Sequence, residues 1–199
     1  MPHGTQETEI KLAVANINAA RGMLRAAGFR VWKRRVFESN TVFDTPELTL
    51  RQAGLLLRMR QAGSVRTLTY KGPSIPGKHK SREELELVIP DARVMIAIIE
   101  RLGYHPVFRY DKYRTEFKQF RGRGVAVLDE TPVGVYLELE GAARWIDRTA
   151  RKLNFSEQDY ITVSYASLYL DWCSRHGIRP GNMVFGTVAD DRDSTSSAQ

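Results

Sequence analysis

The 199-residue chain contains one cysteine, Cys173, and only four histidines, His3, His79, His105 and His176, scattered along its length. One thiol cannot close an internal disulfide, and no Cys or His falls at metal-ligand spacing. A soft-ligand metal centre and a nucleophilic triad built on a paired histidine therefore both find no support. No apolar run is long enough to cross a bilayer, and no repeat of fixed period occurs. Met1-Pro2-His3-Gly4 leads straight into charged residues without an apolar leader. With the lone thiol, this predicts a cytoplasmic protein without a membrane partner.

What the chain does have is enough apolar residues for a core, 42% of the total, and an excess of positive charge, +7 net. One domain over residues 1–186 is expected, followed by a disordered tail over 187–199, where Asp190-Asp191-Arg192-Asp193-Ser194 opens a polar run. The charge points to a polyanionic partner: nucleic acid, an anionic surface or phosphorylated metabolites. Charge alone does not choose among them.

Patterning says more. In Glu7-Thr8-Glu9-Ile10-Lys11, strand geometry puts Glu7, Glu9 and Lys11 on one face and Thr8, Ile10 and Leu12 on the other. Alone, this reads as an outer strand with a solvated face. The device recurs, however, with both signs of charge. Arg58 and Arg60 alternate with Leu57 and Met59, and Thr69 and Lys71 share a face. Arg82, Glu84 and Glu86 alternate with Glu83, Leu85 and Leu87. Lys112, Arg114 and Glu116 share a face, as do Glu138 and Glu140, and Asp129 lies on the strand between. Helices are expected over 16–27, 91–102, 142–153 and 159–176, with a short helical turn within 46–53. Tyr165, Leu168, Tyr169 and Trp172 read as core packing at helical spacing. The segment Gly72 to Lys80, with two prolines and three basic residues, reads as a loop, either a solvated lid or a plain connection. Arg121-Gly122-Arg123-Gly124 lacks the spacing of a phosphate-binding P-loop and reads as a hairpin loop.

About eight strands, at least six with a charged face, do not suit a flat sheet. The fold expected is α+β: an eight-stranded antiparallel closed barrel with packing helices, whose lumen shelters the charged face. Burying about a dozen charges is costly unless they pair or bind something. Complete mutual pairing is one solution. The other follows from their distribution, because the acids gather on the first and last strands and most bases lie between. Glu7, Glu9, Asp129, Glu138 and Glu140 offer hard oxygen ligands suited to Mg2+ or Mn2+, and the bases suit a chain of phosphates.

These blocks, with Phe43-Asp44-Thr45-Pro46, Leu68-Thr69-Tyr70-Lys71-Gly72 and Lys112-Tyr113-Arg114, resemble in order the CYTH domain, the triphosphate tunnel metalloenzyme superfamily, over residues 5 to about 170. The resemblance implies a tunnel that binds a small-molecule triphosphate with a divalent metal. It implies that Glu7, Glu9, Asp129, Glu138 and Glu140 hold metal and that Lys11, Arg58, Arg60, Lys71, Arg82 and Arg114 contact phosphates. It gives Lys112 the activation of the attacking water. An ordinary lysine keeps its proton at neutral pH, and removing it costs about 5 kcal/mol, so that role needs neighbouring cations such as Arg114. Water positioned by metal-bound carboxylates is the competing account. The family's basic residue near the C-terminus has no counterpart here.

Three functions follow, in order of preference. The first is hydrolysis of the terminal phosphoryl group of inorganic or small organic triphosphates. The second is class IV adenylyl cyclase chemistry, which needs a base-binding pocket that is not legible in the sequence. The third is a non-catalytic polyphosphate or RNA-binding module, which leaves five converging carboxylates unexplained, so no stable nucleic-acid partner is expected. A homodimer stays open.

Overall fold

A computed structural model of the chain describes residues 5–186, so the tail expected over 187–199 lies outside the described residues. Period-two alternation governs the architecture. Eight antiparallel strands close into a barrel: β1 (Thr5–Val14), β2 (Arg30–Asp44), β3 (Leu56–Ala62), β4 (Val65–Lys71), β5 (Lys80–Val88), β6 (His105–Lys118), β7 (Val125–Thr131) and β8 (Gly134–Glu140). Their order around the barrel is β1-β5-β4-β3-β2-β6-β7-β8. Closure comes from β1 against β8, where Glu9 faces Glu140 and Lys11 faces Glu138.

The apolar faces of β1, β7 and β8, and Phe43 and Met59 of β2 and β3, point outward under the helices, whereas Leu85, Leu87 and Val88 of β5 stay exposed. Helix α1 (Ile17–Ala26) starts at Asn16, whose side chain accepts from the Ala19 amide. It ends before Gly28, whose φ of +84° lets the chain turn back. With α4 (Ala143–Lys152), it covers Ile10, Leu12, Ala126, Leu128, Leu137 and Leu139, all inaccessible to solvent. Helix α3 (Ala92–Arg101), capped by Asp91, covers Phe43 and Met59. The turn expected within 46–53 is α2 (Thr49–Gln52), whose amides at 50 and 51 are taken by Asp44.

The last helix differs from the 159–176 span expected. Residues 157–159 form a single 3-10 turn, and α5 (Tyr165–His176) starts only at its Ser164 cap. Between them Ile161 exchanges backbone hydrogen bonds with Lys11 at 2.9 Å each way. That bridge extends the sheet at an edge β5 does not reach, since β5 pairs with β1 only over residues 5–9. Helix α5 packs Tyr165, Tyr169, Trp172 and Cys173 with Tyr110, Tyr136 and Met183.

Candidate active site

On the strands whose apolar face is turned outward, the charged face is turned into the lumen. One cavity of about 850 Å³ is lined by Glu7, Glu9, Lys11, Arg58, Arg60, Lys71, Arg82, Lys112, Arg114, Glu138 and Glu140. Eleven of the twelve residues expected at the site thus share one space. The twelfth, Asp129, is fully buried in the wall.

The five carboxylates expected to hold metal fall into two groups. Oxygens of Glu7, Glu9 and Glu140 lie within 4.8 Å of one another. Asp129 and Glu138 are instead engaged by cations. Asp129 accepts from Lys112 Nζ at 2.7 Å, Arg114 Nε at 2.8 Å, Arg114 Nη2 at 2.7 Å and Tyr165 Oη at 2.8 Å. Glu138 pairs with Arg114 and, at 3.4 Å, with Lys11. Burial works to raise the Glu138 pKa, but Arg114, Lys11 and Lys112 outweigh it and hold the carboxyl well below the usual range.

The triad is less settled electrostatically. Burial and repulsion from Glu138, Glu9 and Glu7 push Glu140 up to about 8 against the pull of Arg114. Burial and Glu9 also raise Glu7. Glu9 alone is drawn down, to about 2, because Lys11, Lys80 and Lys71 overcome burial and the Glu138 charge. Three close carboxylates, two of them resisting ionisation, are a donor set that fits a hard divalent cation.

On the other wall the cations are short of acceptors. Arg58 Nε and Arg82 Nε are buried without a hydrogen-bond partner among the described residues. Arg82 comes no nearer to a carboxylate than 4.0 Å, at Glu7. Arg58 donates to Tyr110 Oη and Thr69 Oγ1, both at 3.2 Å. Arg60 pairs with Glu86 at 2.8 Å, and Lys71 pairs with Glu7 and with Glu84 at 3.2 Å. Unmatched guanidinium donors in a low-dielectric cleft are what a polyanion with many oxygens completes.

Three lumen residues were not recognised in the sequence. Glu38, 4% exposed, approaches Arg60 and Lys112 at 3.7 Å and Arg114 at 3.9 Å. Two register shifts between Val31 and Val36 break the alternation ahead of it. Counting back from the buried Asp44 and Asn40 would have found its face. Lys80, assigned to the loop, is the first residue of β5, opposite Glu9 and 3.2 Å from it. Burial and the Lys11 charge lower it to about 8. Its place two residues before Arg82 was the available signal. Tyr165 does pack in the core, but it also lies under Lys11 and Lys112, whose ammonium groups sit 5.2 and 5.0 Å from its ring. The rest of the 72–80 loop is tied down, since Lys78 and His79 reach Asp147 of α4 at 2.9 and 2.7 Å.

Fold and lumen together define a class: a closed antiparallel tunnel whose interior sorts a carboxylate triad from a wall of guanidinium and ammonium groups. The family is the CYTH domain, whose model matches residues 5–165, and the chain belongs to it. A Methanocaldococcus jannaschii protein named "Putative adenylate cyclase MJ0240" is 29% identical over 172 residues, covering 81% of this chain and 97% of its own. A Vibrio parahaemolyticus structure, called a putative adenylate cyclase, superposes with a TM-score of 0.71 at 25% identity, over 83% of this chain and 98% of its own. A Hippeastrum protein, described as a putative adenylyl cyclase with a dominant triphosphatase activity, has the same fold. Its TM-score is 0.59 at 17% identity, over 87% and 97% of the two chains.

Proposed function

We propose that the protein is a divalent-metal-dependent hydrolase of triphosphates. The observation that carries this reading is the pairing, in one lumen, of the Glu7–Glu9–Glu140 triad with a wall of at least six basic side chains. The triad would hold Mg2+ or Mn2+, which when bound supplies positive charge to the phosphate oxygens and an acidified water.

The chain's own residues do the rest. Lys11, Arg58, Arg60, Lys71, Arg82 and Arg114 offer donors along the lumen, fixed by strands rather than loops, so little reorganisation is needed as charge develops on equatorial and leaving oxygens. One such fixed donor is worth about 3 kcal/mol in other enzymes. Water oxygen attacks the terminal phosphorus, the bond from that phosphorus to its bridging oxygen breaks, and the leaving diphosphate keeps the electron pair. Lys112 is the candidate for handling the proton of that water. It donates to Asp129, which Tyr165 and Arg114 hold in place, so its ammonium position is fixed to within the reach of a hydrogen bond. If Lys112 is that group, Lys112→Ala lowers kcat by 10²-fold or more, and a near wild-type rate excludes it.

Cyclisation of ATP is the second reading. The names of the Methanocaldococcus and Vibrio relatives favour it, while the Hippeastrum protein is described by triphosphatase activity. One assay separates the two: incubation with tripolyphosphate, thiamine triphosphate and ATP, with Mg2+ or Mn2+, reading orthophosphate, pyrophosphate and cyclic AMP. Cation-dependent orthophosphate release, abolished in Glu9→Gln, is expected. Cyclic AMP with pyrophosphate as the main product, or turnover in excess chelator, overturns the proposal.

A further inference from the structure

The lumen does not account for the chain's charge. Ten basic side chains line it, against eight acidic ones with Glu38 and Asp129 behind them, so the formal surplus of +7 lies elsewhere. It is concentrated in two stretches without a single Asp or Glu: residues 12–37 hold six bases and residues 117–128 hold three. Of these nine, Lys33 and Arg35 are paired with Glu116 and Glu130, and the other seven, six of them arginines, are in no ion pair among the described residues. Packing brings the two stretches together at one corner. Arg30, which opens β2, faces Lys118 at the end of β6, and the first eight residues of β2 pair with β6 alone, clear of β3. The Ala27 carbonyl, just past α1, accepts from Gln119 at 2.8 Å and from Lys152 of α4 at 2.9 Å. Those bonds hold the 119–124 loop, with Arg121 and Arg123, next to the last turn of α1, which carries Arg25. Two rings stand among these cations. Phe120 is 98% exposed, and Trp32 is 61% exposed with Lys118 Nζ 4.5 Å from its ring centre.

We infer that this corner binds single-stranded nucleic acid, with its arginines on the phosphates and its two rings against bases. The surface lies outside the lumen, and the inference does not depend on the hydrolase reading. The carboxylates that argue against nucleic acid converge in the lumen, whereas neither stretch here contains one. Three features select this ligand among polyanions. First, the unpaired cations are mostly guanidinium groups, whose fork matches phosphate oxygens, and each phosphate they neutralise releases a counterion. Second, the rings are bare. Phe120 offers both faces and Trp32 the face that Lys118 leaves, and bases of any sequence stack on such rings once they are not held in a duplex. Inorganic polyphosphate would use the cations and leave the rings in water. Third, the geometry turns against a bilayer. Val31 is also 55% exposed, but successive strand side chains point to opposite faces, so Val31 and Trp32 do not enter one membrane surface together.

The experiment is fluorescence anisotropy with labelled oligouridine and oligothymidine of about 12 nucleotides, long enough to cover the corner. Their 5′ ends are hydroxyls, so they bring no triphosphate to the lumen. The wild type should bind at least one of them with a Kd of about 1–100 μM at about 0.15 M salt. Phe120→Ala and Trp32→Ala should each weaken binding about 5–100-fold, and Phe120→Trp, which keeps a ring, should hold it. Arg121→Gln with Arg123→Gln should lower the slope of log affinity against log salt by about 1.4, the share of two phosphates on a single strand. Phe120 is so exposed that its removal should leave the Tm unchanged, which shows that the barrel has folded. A Kd above about 1 mM for both oligonucleotides, unaltered affinity in Phe120→Ala and Trp32→Ala, or equal competition by duplex DNA or inorganic polyphosphate at the same phosphate concentration overturns the inference. So does binding to phosphatidylcholine vesicles containing phosphatidylserine that Phe120→Ala abolishes while neither oligonucleotide binds, since that result assigns the corner to a membrane.

Discussion

Glu140→Gln separates the two roles a carboxylate triad can have, because it should stabilise the protein without cation and destroy its response to cation. Glu140 is held at about 8 in the fold against an ordinary 4.5, with burial and its acidic neighbours as the cause. A raised carboxyl pKa means that the folded chain holds a proton the unfolded chain has released, between pH 4.5 and 8. Stability from this group is therefore full below 4.5 and is lost as pH rises towards 8. At about 1.4 kcal/mol per pKa unit the upper limit is near 5 kcal/mol. The Glu140 side chain is 29% exposed and faces Arg114 at 3.8 Å, so solvent and that charge reduce the effect to roughly 2 kcal/mol. In a chain of this length that corresponds to about 4–8 °C in Tm. Thermal unfolding in chelator at pH 6 and pH 8.5 should thus show the wild type losing stability across this window and Glu140→Gln losing less. Adding Mg2+ or Mn2+ at about 100 times its Kd should raise the wild type by about 2.7 kcal/mol, more easily at the higher pH because the cation displaces the proton. Glu140→Gln should respond weakly. A wild-type Tm indifferent to both cations, or a variant less stable than wild type in chelator at pH 8.5, refutes the reasoning.

Four other perturbations test separate parts of the structure. Asp129→Asn removes a charge from between Lys112 and Arg114 and should cost about 3–5 kcal/mol by denaturant midpoint. Asp171→Asn, whose Arg175 partner is 63% exposed, should cost under about 0.5 kcal/mol in the same assay. Gly124→Ala would bring a Cβ to 2.4 Å from the buried Trp145 ring, and a loss of about 2–3 kcal/mol, or failure to fold, is expected in thermal unfolding. Lys80→Met should raise the KM for a triphosphate about 10-fold with little change in Tm, because Glu9 keeps Lys11 at 3.2 Å.

The strands were legible because their two faces carry opposite instructions. Ile10 and Leu12 go under helices and Glu9 and Lys11 into the lumen, and no other closed arrangement serves both. Barrel closure was legible too, since acids on β1 and β8 become neighbours only if those strands meet. What the sequence hid was hidden for local reasons. Bulges in β2 disguised Glu38, and the Pro- and Gly-rich approach to β5 made Lys80 look like loop. Tyr165 reads as an apolar helix residue, and its hydroxyl partner lies 36 residues away on β7. The division of five carboxylates into a triad and two cation anchors depends on side-chain reach across the barrel, which periodicity does not encode.

The pairing inside the tunnel also makes its two proposed ligands dependent on each other. Lys71 is held by Glu7, and Lys11 and Lys80 by Glu9, so the lysines nearest the triad are occupied by the triad's own carboxylates. A phosphate that recruits those ammonium groups strips Glu7 and Glu9 of their counter-charges and leaves three acids within 4.8 Å of one another. Leaving buried charges uncompensated costs several kcal/mol, so the polyanion alone is a poor ligand. A divalent cation in the triad removes that penalty and at the same time frees the lysines. Each ligand therefore increases the affinity of the other, and linkage requires the two increases to be equal. The residues that would bind neither ligand directly, Asp129 and Glu138, are the ones that make this exchange survivable. They keep Arg114, Lys112 and one side of Lys11 neutralised whichever way the triad is filled, so the barrel never faces the full charge of its own wall.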